Sequence, residues 1–267
     1  MAKRKSMSQS DVSNVWKRVW SVERVTSARA TFSNRLFIEG FRVMRPLIRG
    51  DVRTILETGT GSGRYAVAFA KDFPNAIVTA TDLVPQSLDA TMRLARDAGI
   101  SNVTVEVADV ERLHYETGVF DVVFSDALVQ HVSDDTKAMA EMSRVLKSDG
   151  VLIVAVVNRW SLHFFVRFIE SILHRSNEYG SERFYTHAQL RKMVETVGLE
   201  VLTQTGFYPA YGIYRLGRFW RPFAVLGRIL NRMTRLLDTV TGDSISRWLG
   251  FEIVIVARKP KATSDSL

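Results

Sequence analysis

Glu57-Thr58-Gly59-Thr60-Gly61-Ser62-Gly63-Arg64 combines an acidic side chain with three glycines spaced two apart. An apolar run, Thr54 to Leu56, precedes it and reads as the end of a buried strand. Ala66 to Ala70 follows with a pattern that suits a helix. Strand, glycine loop and helix form the geometry in which backbone N–H groups approach a nucleotide-like ligand. Glycine removes the Cβ atoms that would collide with the ligand and permits positive φ. A dinucleotide fingerprint needs G-x-G-x-x-G, but here Arg64 stands where its third glycine would fall. Two aspartates, Asp82 and Asp109, sit at the ends of later apolar runs, and His131 follows another. Histidine is the usual proton acceptor near neutral pH.

The elements that must position these groups read as a regular alternation. Ala76 to Thr81, Val103 to Val107, Phe120 to Ser125 and Val151 to Val157 are strands two to five. Helices are expected after the glycine loop, over Ser87–Asp97 with Gly99 as its stop, and after a cap at Asp134 or Asp135. Ser148-Asp149-Gly150 is expected to turn into strand five. Alternating strands and helices imply a parallel sheet covered on both faces. Thr186 reads as the cap of a helix over His187–Val197, Leu199 to Thr205 as strand six, and Phe251 to Arg258 as the last strand.

Five features now fall in one order: the acidic glycine loop, Asp82 ending strand two, Asp109 ending strand three, Phe120-Asp121-Val122-Val123-Phe124-Ser125, and Arg144-Val145-Leu146-Lys147-Ser148-Asp149-Gly150-Val151-Leu152-Ile153. The series resembles the small-molecule branch of the class I S-adenosylmethionine-dependent methyltransferases, over about residues 54 to 205 with 251 to 258 completing the match. The resemblance implies an α/β, Rossmann-like seven-stranded mixed sheet with helices on both faces, its last strand antiparallel. N-terminal helices precede it, and helical insertions follow strands five and six.

The resemblance also implies roles. S-adenosyl-L-methionine is the expected cofactor. Glu57 would organise the site near the methionine amino group, and Gly59, Gly61 and Gly63 would pack under the ribose and methionine portions, with Thr58 in the same loop. Asp82, followed by Leu83, can accept from a ribose diol. Asp109 would accept from the adenine amino group, with Val110 backing the ring. Ser125 and Ala127 should line the methionine end. Arg64 either reaches the cofactor carboxylate or faces solvent. His131 is either the base for an acceptor hydroxyl or a structural residue packed on the loop. Arg159, Trp160, His163 and Tyr185 are candidates for the acceptor pocket, with Arg183 beside them and His187 a weaker base candidate.

At 267 residues, 46 % of them apolar, the chain fits one large domain. The expected organisation is a disordered basic tail over 1–11, a helical cap over 12–50, the methyltransferase domain over 51–258 with insertions at 158–185 and 207–250, and a disordered tail over 259–267. Trp16 and Trp20 of the cap read as core packing. A second cap helix is expected from about Ser33 to Ile48 with a loop over Ser27–Thr31 before it, and Gly180 and its neighbours read as a loop. There is no cysteine, which excludes disulfides, thiolate metal sites and a cysteine nucleophile. No metal-ligating cluster stands out. No signal-peptide pattern is evident, and no apolar run approaches the ~20 residues that span a bilayer. A cytoplasmic protein is expected, with peripheral membrane contact as an option.

The charge of +8 is uneven. Residues 207–250 hold seven arginines, two aspartates and no lysine or glutamate, interleaved with aromatics and leucines. Such a segment can lie on an anionic membrane surface, or fold as a packed lid or dimer contact. A nucleic-acid partner is disfavoured: neither an RNA-binding module nor an Asn-Pro-Pro-Tyr-type motif is present. The expected reaction is O-methylation of a small-molecule or lipid-like acceptor. Two alternatives share the fold: a non-catalytic cofactor-binding scaffold, and a methyltransferase acting on nucleic acid or protein. A nicotinamide dehydrogenase is disfavoured by Arg64.

Overall fold

In the computed structural model the described residues are 9–21, 31–172 and 182–261. The expected tail over 1–11 as far as residue 8, the expected loop over 27–31 as far as residue 30, the loop around Gly180 and the end of the chain from 262 lie outside them, while residues 9–11 and 31 are helical. Seven strands form one sheet: β1 (Thr54–Thr58), β2 (Ile77–Asp82), β3 (Val103–Val107), β4 (Phe120–Asp126), β5 (Leu146–Val157), β6 (Glu200–Phe207) and β7 (Glu252–Arg258). Their order is β3-β2-β1-β4-β5-β7-β6. The first five pair in parallel, and β7 runs antiparallel between β5 and β6. This is the Rossmann-like mixed sheet that the motif series implies.

The described helices, in chain order, are α1 (Gln9–Ser21), α2 (Arg35–Met44), α3 (Arg64–Asp72), α4 (Pro85–Asp97), α5 (Asp135–Val145), α6 (Leu162–Ile172), α7 (His187–Thr196), α8 (Tyr211–Leu216), α9 (Arg221–Thr241) and α10 (Ser244–Leu249). Several boundaries follow from local chemistry. Asp134 accepts from the N–H groups of Thr136 and Lys137 and starts α5. Thr186 and Gln189 form a capping box at α7. Proline sits in the first turn of α4 and of α9, where no N–H is needed.

The sheet is buried on both faces. One core packs Phe37, Met44, Tyr65, Phe69 and Leu94 against the sheet, and the other packs Met139, Met142, Leu190 and Val194. Ile55, Leu56, Val123, Phe124, Ile153 and Val154 are fully enclosed between them. Strands covered this way can offer polar groups to a ligand only where they end.

Two further expectations are corrected. The helix expected from Ser33 to Ile48 ends at Met44 and tightens into a 3-10 turn over Arg45–Leu47. Pro46 cannot donate the next helical hydrogen bond. Strand five begins at Leu146, which pairs with Phe120, and pairing resumes at Val151 with Val122. Ser148-Asp149-Gly150 is therefore a bulge inside the strand, with Asp149 at φ 66°, and not a turn before it.

Asp121 ties three strands together. Its Oδ2 accepts from Arg53 N at 3.0 Å and Thr54 N at 2.9 Å, and its Oδ1 accepts from Lys147 Nζ at 2.8 Å. Partial burial pushes this carboxyl up, but Lys147 and the two N–H groups outweigh burial and hold it below the usual range. Its stabilisation is present above the unfolded carboxylate range and is lost as pH falls through the lower folded value. Asp121→Ala is thus expected to lower Tm at neutral pH, with the gap from wild type closing below about pH 4. Thermal unfolding of both proteins across that range checks it.

Candidate active site at the carboxyl ends of the parallel strands

The strand ends meet at a cavity of about 440 Å³. Its floor is the glycine loop between β1 and α3. Gly59 has φ 69°, and a Cβ there would come within 2.7 Å of the Leu128 side chain. The loop is pinned from two sides. Thr60 N donates to Thr81 O at 2.9 Å, and Gly61 N donates to Asp82 Oδ2 at 3.0 Å. Ser87 Oγ donates to the same carboxylate oxygen at 2.8 Å, and Val84 N donates to Asp82 Oδ1 at 3.0 Å. Burial pushes the Asp82 carboxyl up, against these donors.

Glu57 is buried below the loop and accepts from Thr60 Oγ1 at 2.7 Å. Burial pushes its carboxyl up to about 8. Thr60 opposes the shift, and the negative charge of Asp126 adds to it. Asp109 accepts from Glu111 N at 2.9 Å and lines the cavity with Leu83 and Val110. Of the two orientations open to Arg64, the structure takes the inward one: its Nη2 pairs with Asp126 Oδ2 at 3.2 Å.

Ala127 lines the cavity with φ 54° and leads into Leu128 and His131. His131 is buried edge-on against Trp16 of α1, with ring centroids 5.0 Å apart. Trp16 itself reaches the cavity wall, although its helical spacing reads as core packing. His163 of α6 also lines the cavity. It sits against Phe251 at 4.9 Å and Tyr211 at 5.5 Å, with Nδ1 unpartnered. Burial, with Arg215, Arg167 and Arg218 nearby, pushes His163 down to about 3, so the ring is neutral.

Six expected residues do not line this cavity. Thr58 points into the core, where its hydroxyl meets Phe124 O and Met142 Sδ. Gly63 starts α3 with φ 74° and packs on Thr91. Ser125 is buried in β4. Arg159 lies beside Tyr185, to whose carbonyl its N–H donates. Trp160 is exposed. The Tyr185 hydroxyl donates to Asp135 at 2.8 Å. His187 and Arg183 also bond elsewhere, to Arg247 O and Val132 O.

The structure adds residues that the sequence reading missed. Asp126, Gln130, Glu182, Arg215, Tyr211 and Glu252 all line the cavity. Glu252 opens β7 opposite Val157. Burial, then the negative charge of Asp126, pushes Glu252 well above the carboxylate range, and its carboxyl donates to Asp126. Gln130 accepts from Val157 N at 2.9 Å and donates to Glu182 Oε1 at 3.1 Å. Burial pushes Glu182 up as well, against Arg167 and Arg215. Asp126 Oδ1, Glu252 Oε2 and Tyr65 Oη are buried without hydrogen-bond partners among the described residues. The signal for Glu252 was present: a lone acid in the apolar run Phe251-Glu252-Ile253-Val254.

The seven-stranded order, the glycine loop and the acids at the ends of β2 and β3 are those of the class I S-adenosylmethionine-dependent methyltransferase fold, and the stretch that carries the loop and both acids is a methyltransferase domain. Residues 55–150 match the family model described as a methyltransferase domain. A malonyl-[acyl-carrier protein] O-methyltransferase of Geobacter sulfurreducens is 31 % identical over 61 % of this chain and 58 % of its own length. A ubiquinone/menaquinone biosynthesis C-methyltransferase of Bdellovibrio bacteriovorus is 34 % identical over 38 % of this chain and 42 % of its own. The chain thus spans about half the length of these curated relatives. A phosphoethanolamine N-methyltransferase 2 of Haemonchus contortus, crystallised with S-adenosyl-L-methionine, shares the fold. Its TM-score is 0.61 at 17 % identity, over 92 % of this chain and 60 % of that one.

Glu57 has a consequence for stability that does not depend on the reaction. Its folded value of about 8 exceeds the ordinary 4.5. Stability is therefore full below the ordinary value and declines as pH rises through the folded one. Glu57→Gln removes the ionisable group, so its Tm advantage over wild type is expected to grow between about pH 5 and pH 8. Calorimetric unfolding at both ends of that window checks it.

Proposed function

We propose that the chain transfers a methyl group from S-adenosyl-L-methionine to a small-molecule or lipid-like acceptor. The observation that carries this reading is a cavity lined together by Glu57, Gly59, Gly61 and Arg64 of the loop, by Asp82 and Asp109, and by His131, His163 and Glu252. Its volume of about 440 Å³ lies in the range of small-molecule sites. Tyr65 Oη, buried at the cavity wall without a hydrogen-bond partner among the described residues, fits a ligand that brings a polar group.

When bound, the cofactor supplies an electrophilic methyl group on its sulfonium. The chain's own residues do the rest. Asp82 already accepts three hydrogen bonds, which leaves about one of four lone-pair positions for a ribose hydroxyl. Asp109 and Val110 offer an acceptor and an apolar wall for the adenine. Glu57, once ionised, accepts from the methionine ammonium, and Arg64 turns towards the methionine carboxylate. Alignment of donor and acceptor in this enclosed site supplies most of the rate. For an oxygen acceptor, His131 takes the hydroxyl proton.

The acid-rich lining favours a second acceptor class. Glu57, Asp126, Glu182 and Glu252 line the cavity with Arg64 and Arg215. An amine acceptor would find hydrogen-bond acceptors and negative charge, and Asp126–Glu252 would then orient its nitrogen.

Isothermal titration with S-adenosyl-L-methionine tests the donor side. Wild type is expected to bind, while Asp82→Ala and Glu57→Ala bind about 10- to 100-fold more weakly. Absence of wild-type binding would sink the proposal. Transfer of labelled methyl to matched alcohol and amine acceptors tests the other side. His131→Asn is expected to lower turnover of an alcohol by about 100-fold or more with cofactor affinity retained. Glu252→Gln is expected to impair amine acceptors selectively.

A further inference from the structure

Two helices of the insertions are turned the opposite way from surface helices of a globular protein. Along α9, the residues packed inward are Gly227, Asn231 and Asp238. Those turned outward are Leu226, Ile229, Met233, Leu236, Leu237 and Val240, with Leu236 64 % and Val240 85 % exposed. A surface helix ordinarily buries its apolar stripe.

The physical reason is visible underneath. Gly227 lies on the α8 backbone, where a Cβ would come within 2.5 Å of Tyr214 N. Asp238 accepts from the N–H groups of Ile245 and Ser246 at the start of α10. Those contacts hold the small and polar side of α9 against the protein and leave its leucines outward. In α6, buried Glu170 binds Arg167 and Arg218 while Phe165, Phe168, Ile169 and Ile172 are exposed. Scattered exposed apolar side chains are ordinary, but a continuous stripe marks an interaction surface.

Charge selects the occupant. At about 100° per residue, Arg221, Arg228 and Arg232 fall in one row along an edge of the α9 apolar stripe. All three are exposed and have no partner among the described residues. Such a row sits at the waterline of a helix lying in an interface, its guanidinium groups at lipid phosphates and its stripe among the acyl chains. A second copy of the chain would bring the same cations to the same edge. Among the described residues no helix is long and apolar enough to cross a membrane.

We propose that α9, assisted by α6, docks the protein flat on an anionic phospholipid bilayer, independently of the reaction it performs. The docking layer is also a wall of the cavity, since His163 of α6 and Tyr211 and Arg215 of α8 line it.

Flotation of the full chain with phosphatidylcholine vesicles, with and without phosphatidylglycerol, tests this. Binding is expected only to the anionic vesicles and is weakened by salt. Ile229→Glu/Met233→Glu/Leu236→Glu is expected to weaken partitioning about a hundredfold, with far-UV circular dichroism unchanged because the three side chains are exposed. Arg228→Gln/Arg232→Gln, which leaves the apolar stripe whole, is expected to weaken it about thirtyfold. Failure of the intact chain to float with anionic vesicles overturns the proposal. So does equal binding to neutral vesicles. Self-association of the intact chain that the triple variant abolishes, without flotation, assigns the face to a subunit contact and likewise overturns it.

Discussion

A sheet buried on both faces leaves its strands one place to act on a ligand, and that constraint governs the rest of this molecule. β1 runs between two apolar cores with Ile55 and Leu56 fully enclosed. Glu57 and the glycine loop appear where that cover ends. The chain can reverse there without Cβ atoms in the way, and Asp82 ties the turn to the neighbouring strand through Gly61 N. Every other candidate group is positioned relative to this junction. Asp126 and Ala127 arrive from β4, Asp109 from beyond β3, and Glu252 from the antiparallel β7.

The polar lining is costly to fold. Four carboxyl groups and two guanidinium groups line one cavity, with Glu57 and Glu252 buried. Burial raises Glu57, Glu182 and Glu252, so these carboxyls hold their protons to higher pH than solvent-exposed ones do. Groups held this way cluster where a ligand or a reaction uses them. A cationic sulfonium or ammonium entering the site meets acids whose ionisation it would favour, which couples ligand charge to proton release.

The insertions show a different division of labour. Gly212 lets α8 press against the α6 backbone, and Gly227 lets α9 press against α8. The three helices thus stack closely through small residues. Their inner members shape the cavity through His163, Tyr211 and Arg215, while the outer faces of α6 and α9 carry the apolar stripes. Closure of a site and contact with a surface fall to opposite sides of the same few helices.

By itself, the sequence determined the alternation of strands and helices, the glycine loop with its acidic neighbours, and the order of motifs that carries the methyltransferase resemblance. These are local signals: glycine spacing, caps such as Thr186 and Asp134, and apolar runs terminated by aspartate. It also placed His131 and His163 among the candidates, and both reach the cavity. Tertiary structure decided what local pattern cannot hold. Arg64 turned inward because Asp126, 62 residues away, meets it there. Tyr185 and Trp160 fall outside the cavity because the chain beyond β5 carries them elsewhere, Tyr185 to Asp135 and Trp160 to the surface. Glu252 joined the site because β7 inserts between β5 and β6. The outward face of α9 was equally hidden: an amphipathic pattern has two faces, and only the packing of Gly227 and Asp238 selects which one meets the protein.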